Sequence, residues 1–249
     1  VTPAHAIIIF VAGLGAGTIN AVVGSGSLIT FPTLIALGYP PVLANVSNDI
    51  GLVPGAISAV YGYRRELSGQ RDRLIRLVPA SATGGLIGAV LLLVLPSAFF
   101  KRIVIALIVV ALALVVLQPR LAAYLQARSK ARRSEVRAAL WVLVAATGIY
   151  GGYFGAAQGI ILIAILGLGL RDELQRLNAT KNVLAGSVNL VASIVFVLAT
   201  NVDWKVVGLI AAGSIVGGQL GATFGRRLDQ RALRLVIVAV GIVALVRLI

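Results

Sequence analysis

Asn45-Val-Ser-Asn-Asp-Ile50 recurs 133 residues later as Asn178-Ala-Thr-Lys-Asn-Val183. The likeness extends outward from this hexapeptide over residues 42–118. Gly84-Gly-Leu-Ile-Gly-Ala89 returns as Gly217-Gly-Gln-Leu-Gly-Ala222, and the apolar run from Ile103 matches the one from Val236. Self-similarity at so long a period marks a chain built from two copies of one unit. The copies differ in the charge of their loops. The segment 63–77 holds five arginines, whereas its counterpart near 196–210 holds only Lys205. Basic loops stay on the cytoplasmic side of a membrane, so opposite bias in two homologous halves predicts an inverted repeat.

Composition requires a membrane. The chain is 59% apolar and only 12% charged, about half the charge of an ordinary soluble domain. Twenty-eight glycines suit membrane helices whose backbones approach closely. With no cysteine, disulfides, thiolate metal sites and cysteine nucleophiles are excluded. The single histidine, His5, leaves no basis for a histidine metal site or triad, and no cofactor is expected. The net charge of +14 raises the question of nucleic acid, but the basic residues lie in connections between apolar runs, so topology explains them better. The opening Val1-Thr-Pro3 shows no basic n-region of a cleaved signal peptide.

Clear spans lie near 42–62, 75–95, 99–118, 177–199, 205–224 and 235–249. The stretches 5–38 and 138–170 are too long for one crossing and short for two, and glycines interrupt both. Counting each as two short segments gives ten. Seventeen of the 22 basic residues then fall on one side, in 63–77, 119–137, 171–176 and 225–234. Counting eight puts the Arg-rich 225–234 loop on the opposite side, so ten is preferred. The expected architecture is an all-α polytopic membrane protein of two five-segment inverted repeats, with glycine-broken short helices meeting near the midplane. Residues 1–118 form the first repeat, 119–137 a basic cytoplasmic linker and 138–249 the second repeat. Both termini are expected to be extracytoplasmic.

The interrupted stretches supply the first candidate site. Irregular backbone at membrane depth is tolerated only inside protein or along a wet cavity. The short helices after the breaks begin with free N–H groups and a positive dipole end. Gly24, Ser25, Gly26 and Ser27 in one half, with Gln158 and Gly159 in the other, are therefore expected to form an anion cradle. Tight helix packing is the alternative, and it is favoured for Gly13, Gly17, Gly84, Gly88, Gly217 and Gly221.

The repeated hexapeptide supplies the second. Asn45, Ser47 and Asn48, with Asn178, Thr180, Lys181 and Asn182, put costly polar groups inside apolar spans, where they line a path or bond between helices. Asp49 is the candidate proton carrier. Lys181 is either an attractor of cytoplasmic anions or a snorkelling lysine. Tyr61, Tyr63, Tyr124, Trp141 and Trp204 read as interfacial anchors, and Asp172, Glu173, Asp203 and Asp229 as solvated loop carboxylates.

Gly13-Leu-Gly-Ala-Gly17, Gly24-Ser-Gly-Ser-Leu-Ile-Thr-Phe-Pro-Thr-Leu34 and Ala44-Asn-Val-Ser-Asn48 carry a resemblance, echoed by Gly148-Ile-Tyr-Gly-Gly-Tyr-Phe-Gly155. In these stretches the chain resembles the sulfite exporter TauE/SafE family, also called the toluenesulfonate uptake permease family. The resemblance implies secondary transport of sulfite, sulfoacetate or other organosulfonates across a bacterial inner membrane.

The residues themselves support a carrier of a small anionic substrate within the lipid bilayer, working by alternating access and exchanging a proton. An anion channel is the second reading. An intramembrane enzyme is the third, resting only on a conceivable Ser–Lys or carboxylate arrangement. No Gly-x4-Gly-Lys-Ser/Thr loop is present to bind a nucleotide.

Overall fold

A computed structural model describes residues 1–128, 136–170, 172–225 and 230–248 of the chain. The α-helices among them are α1 (Pro3–Val22), α2 (Ser27–Ala36), α3 (Pro41–Gly62), α4 (Arg71–Val94), α5 (Ser97–Arg128), α6 (Val136–Tyr153), α7 (Gln158–Gly169), α8 (Leu174–Ala199), α9 (Trp204–Phe224) and α10 (Gln230–Leu248). Residues 119–128 of the expected linker continue α5, while 129–135, with Lys130, Arg132 and Arg133, lie outside the described residues. Arg171, Arg226, Arg227 and Asp229 lie outside them too.

Local chemistry sets these boundaries. Thr2 caps α1 by accepting from the His5 N–H at 3.2 Å, and Pro3 occupies the first turn, where its missing N–H costs nothing. Pro40 and Pro41 start α3 in the same manner. Asp203 caps α9 by accepting from Lys205 and Val206. The two ambiguous stretches each resolve into a longer helix followed by a short one. At 1.5 Å per residue, the ten residues of α2 and the twelve of α7 reach only about 15 and 18 Å, about half of a ~30 Å hydrocarbon core. By length and composition, five helical segments can cross a membrane: Pro3–Val22, Arg71–Val94, Arg102–Arg120, Leu174–Ala199 and Trp204–Phe224.

The packing repeats with a shift of five helices. α1 lies on α9 as α6 lies on α4; α3 lies on α9 as α8 lies on α4; α2 meets α10 as α7 meets α5. Small residues let these pairs close. Gly13 meets Ile210, Gly17 meets Ser214 and Gly221 meets Thr18 and Ala21, so α1 and α9 run side by side in one direction. Gly84 meets Ala145 and Gly148, and Gly88 meets Ile149 and Gly152, which makes α4 and α6 a second parallel pair. A Cβ on Gly17 would lie 2.4 Å from the Ser214 carbonyl oxygen, and one on Gly84 2.1 Å from that of Ala145. These glycines pack helices, as their four-residue spacing leads one to expect. Dispersion and close approach supply the attraction here, because lipid offers apolar surfaces no hydrophobic penalty to escape.

Candidate functional site

Each short helix follows a break of one design. At the end of α1 the Gly24 N–H donates to the Ile19 carbonyl at 3.0 Å, and at the end of α6 the Gly155 N–H donates to the Tyr150 carbonyl at 3.1 Å. These six-to-one bonds widen the last turn of each helix, and Gly24 at φ 84° and Gly155 at φ 71° turn the chain in a conformation where a side chain would be strained. The breaks meet in space. The Gly159 N–H donates to the Gly24 carbonyl at 2.9 Å, and a Cβ on either glycine would lie 2.4 Å from the other's Cα. Residues 135 apart in sequence are thus in backbone contact at the junction of the two halves.

The short helices do not present open rows of donors. Leu28 and Ile29 N–H groups bond to the Ser25 and Gly26 carbonyls, and the Gly26 N–H reaches Asn20 Oδ1 at 3.4 Å. In α7, Gln158 bonds to Gly155, Gly159 to Gly24 and Ile160 to Ala157. The expectation of free N–H groups is corrected for these positions: tight turns and the partner break satisfy them. Side chains remain. Ser25 Oγ and Gln158 Nε2 are buried without a hydrogen-bond partner, and their residues flank the Gly24–Gly159 contact.

The first hexapeptide, in α3, fastens both breaks. Asn48 is fully buried; its Nδ2 donates to Ser27 Oγ at 3.1 Å and to Asp49 Oδ1 at 2.9 Å, while its Oδ1 accepts from Thr30 Oγ1. Ser27 and Thr30 are three residues apart on one face of α2, so a single amide can hold both. One turn earlier, Asn45 Nδ2 donates to the Tyr153 carbonyl at 3.3 Å, at the end of α6. Ser47 Oγ and Asp49 Oδ2 are buried without partners.

The second hexapeptide, in α8, grips the end of α1. Lys181, equivalent to Asn48 in the repeat, is fully buried and extends Nζ to the Asn20 carbonyl at 2.9 Å and the Ala21 carbonyl at 3.2 Å. Asn178 and Asn182 also donate to Ala21, at 3.1 and 3.2 Å. A cation and two amides thus cover the negative end of a helix whose last carbonyls have no helical partners. The snorkelling reading of Lys181 is corrected, because the ammonium turns inward. Thr180 donates to Gln70 Oε1 at 2.7 Å, so it joins a loop network and not the breaks. Asp49 and Lys181 form no ion pair with each other; among the described residues the ion pairs are Asp172 with Arg73 at 2.8 Å and with Arg176 at 2.9 Å.

The two ends of the bundle differ. A cavity of about 480 Å³ is lined by residues that include Val22, Val23, Tyr63, Asn178, Gln118 and Arg234. It lies between the second half of α5, at Gln118 and Pro119, and the first turn of α8, at Leu174 and Gln175. Phe31, Phe100 and Phe154 are buried against one another near the other end of α5, with Phe31 and Phe154 edge to face at 5.1 Å. Phe100 and Gln118 are separated by about 27 Å along the helix. Partial burial alone would raise the Asp172 carboxyl, but the Arg73 hydrogen bond and charge, the Glu173 N–H and Arg176 hold it below its ordinary value.

Among the residues singled out in the sequence, Ser27, Asn45, Asn48, Asn178, Lys181 and Asn182 touch the breaks or the helices that lead into them. Gly24 and Gly159 join the breaks directly. Three further residues belong here: Asn20, Thr30 and Tyr63. Thr30 is signalled by its helical spacing from Ser27. Tyr63 corrects the reading as an interfacial anchor, since it is 3% exposed and its hydroxyl accepts from Asn178 at 2.9 Å. Asp172 is likewise tied between arginines and is no freely solvated carboxylate.

The family model described as Sulfite exporter TauE/SafE matches residues 9–248. A probable membrane transporter protein of Haemophilus influenzae is 30% identical over 218 residues, covering 86% of this chain and 83% of that one. One from Sinorhizobium is 28% identical, over 97% and 91% of the respective chains. The probable membrane transporter protein YfcA of Escherichia coli is 26% identical, over 100% and 91%. No solved structure matches.

Proposed function

We propose, on the premise that this chain belongs to the sulfite exporter TauE/SafE family, that it exports small sulfur-containing anions such as sulfite or sulfoacetate by proton-coupled alternating access. The chain is a multi-pass membrane transporter and not an enzyme. Substrate, coupling and mechanism are our reading. The observation that carries them is the junction at Gly24 and Gly159, where two interrupted helices meet inside the protein and polar side chains from α3 and α8 hold their ends. Broken helices of this kind are where secondary carriers bind solute.

Part of the proposal is that the halves are inverted. The parallel pairing of α3 with α9, where Gly51 meets Ile210 and Gly55 meets Ser214, supports this, because the short connection makes α9 run back against α8 and so sets α8 opposite to its equivalent α3. Substrate approaches from the basic side, past Arg234 in the 480 Å³ cavity, and the other end is closed by Phe31, Phe100 and Phe154. Ser25, Ser47 and Gln158 are among the unpartnered donors available to an oxyanion, and the Asn48 amide joins them when it releases Ser27. Asp49 Oδ2, the unpartnered carboxylate oxygen, is the site we assign to the exchanged proton.

The deciding test is uptake into proteoliposomes, screened over sulfite, sulfate, sulfoacetate and taurine with and without a pH gradient. Saturable flux of sulfite or sulfoacetate, accelerated by the gradient and showing counterflow, is expected. Unsaturable flux at single-channel conductance would replace the carrier with a channel.

A further inference from the structure

Away from the breaks, a groove of about 600 Å³ opens between the first turns of α4, the first turns of α6 and the end of α7. Its walls are Leu77, Pro79, Leu140, Trp141 and Leu170, and its rim carries Arg73 and Arg76. Every one of these residues lies within about two turns of the end of its helix at the basic side. The groove is therefore apolar along its length and cationic at one end. Arg73 is occupied by Asp172 and by Gln70 Oε1 at 2.5 Å. Arg76 is exposed and makes no ion pair among the described residues. Trp141 is 44% exposed, with its indole on the groove wall.

An arginine without an acidic partner among the described residues, at the polar end of an apolar furrow, has the charge and shape complement of an anionic phospholipid. We infer that this groove binds an anionic phospholipid, its phosphate on the Arg76 guanidinium and its acyl chain along Leu77, Pro79, Leu140 and Trp141. Guanidinium holds a phosphate through paired N–H groups, which a zwitterionic headgroup screens with its own ammonium. Basic pockets between helices near the membrane surface recruit such headgroups, and α6 supplies the tryptophan that favours that depth. The bound lipid would brace α4 against α6, a pair otherwise joined through glycine backbones.

The chain carries only two tryptophans, so Trp204→Phe leaves Trp141 as sole reporter. The full-length protein with that change is placed in phosphatidylcholine vesicles that contain increasing mole fractions of brominated phosphatidylglycerol or, in parallel, of brominated phosphatidylcholine. The phosphatidylglycerol should quench Trp141 at about fivefold lower mole fraction, the enrichment one basic residue gives near a membrane surface. Arg76→Gln should abolish this preference, while Arg64→Gln, a surface arginine stacked on Tyr61 outside the groove, should preserve it. Equal quenching by both lipids, or a preference that survives Arg76→Gln, would overturn the proposal. So would absence of quenching by either, which would mean that another surface, such as a second copy of the chain, covers the groove.

Discussion

The Gly159 amide donates to the Gly24 carbonyl at 2.9 Å, so a backbone hydrogen bond joins the two helix breaks of this protein. Neither glycine has room for a side chain, because each presents its Cα to the other. The consequence is a sharp prediction for α7, whose start is otherwise ordinary helix. Gly159→Ala forces a methyl to 2.4 Å from Gly24 Cα and should cost about 1–3 kcal/mol through overpacking, together with transport. Gly208→Ala on α9 meets nothing within 4 Å and should leave both unchanged. Thermal unfolding and uptake measured on the two variants check this; an active, stable Gly159→Ala protein would remove the junction from the mechanism.

Asn48 makes three hydrogen bonds at once, to Ser27, Thr30 and Asp49. Asn48→Leu should abolish transport while the protein stays monodisperse in detergent, since the leucine fills the space but leaves α2 unheld. Ser27→Ala removes one acceptor, worth about 0.5–1.5 kcal/mol, and should slow uptake without stopping it. Wild-type uptake by Asn48→Leu would exclude this amide from the working site.

Lys181 allows a structural role to be told from a substrate-binding one. Its ammonium donates to Asn20 and Ala21 and so holds the end of α1 in place. Lys181→Met should lower stability by about 2 kcal/mol, the loss of charge-assisted bonds less the relief of burying a charge. Transport should fall with it. Weakened anion affinity at unchanged stability would make Lys181 a substrate ligand instead.

Much of this is legible in the sequence. The hexapeptide repeat marked α3 and α8, and the glycine clusters marked both breaks, because periodicity and composition record which faces must be buried. Partners were not legible. Nothing in Asn178 or Lys181 says that they turn toward the carbonyls of α1, since an amide or ammonium suits an anion and a helix end equally. Tyr63 and Asp172 misled for a related reason: a polar residue near a helix end looks the same in sequence whether it faces headgroups or another helix. Of the N–H groups expected to be free at α2 and α7, those of Leu28, Ile29, Gln158 and Ile160 go into tight turns, that of Gly26 to Asn20 and that of Gly159 to Gly24, which composition does not resolve.

The Asp172 carboxyl lies between Arg73 and Arg176, and their hydrogen bonds and charges hold it below its ordinary range despite partial burial. A depressed value in the folded state stabilises the protein above the unfolded carboxyl value and is lost as pH falls through the folded one. The stability gap between wild type and Asp172→Asn should stay level from pH 7 to about 5, then close below about pH 4. Unfolding midpoints in detergent across that range check the sign; a gap that widens on acidification would contradict it.

Arg234 stands at the wall of the cavity that reaches Val22, Val23 and Asn178. It is half-buried and has no ion pair among the described residues, so its field is directed at whatever occupies that space. On the proposed path, an anion from the basic side meets it before reaching the breaks. Arg234→Gln should therefore raise KM from that side by roughly fivefold, about 1 kcal/mol, with kcat unchanged, because the contact is lost equally before and during translocation. The effect should shrink as salt is raised, since such a charge is screened. From the opposite side, where Phe31, Phe100 and Phe154 are packed, KM should not move if the proposed path holds. Proteoliposomes sorted by orientation separate the two faces. An equal rise from both would place Arg234 at the central site, and no change from either would leave the cavity outside the substrate path.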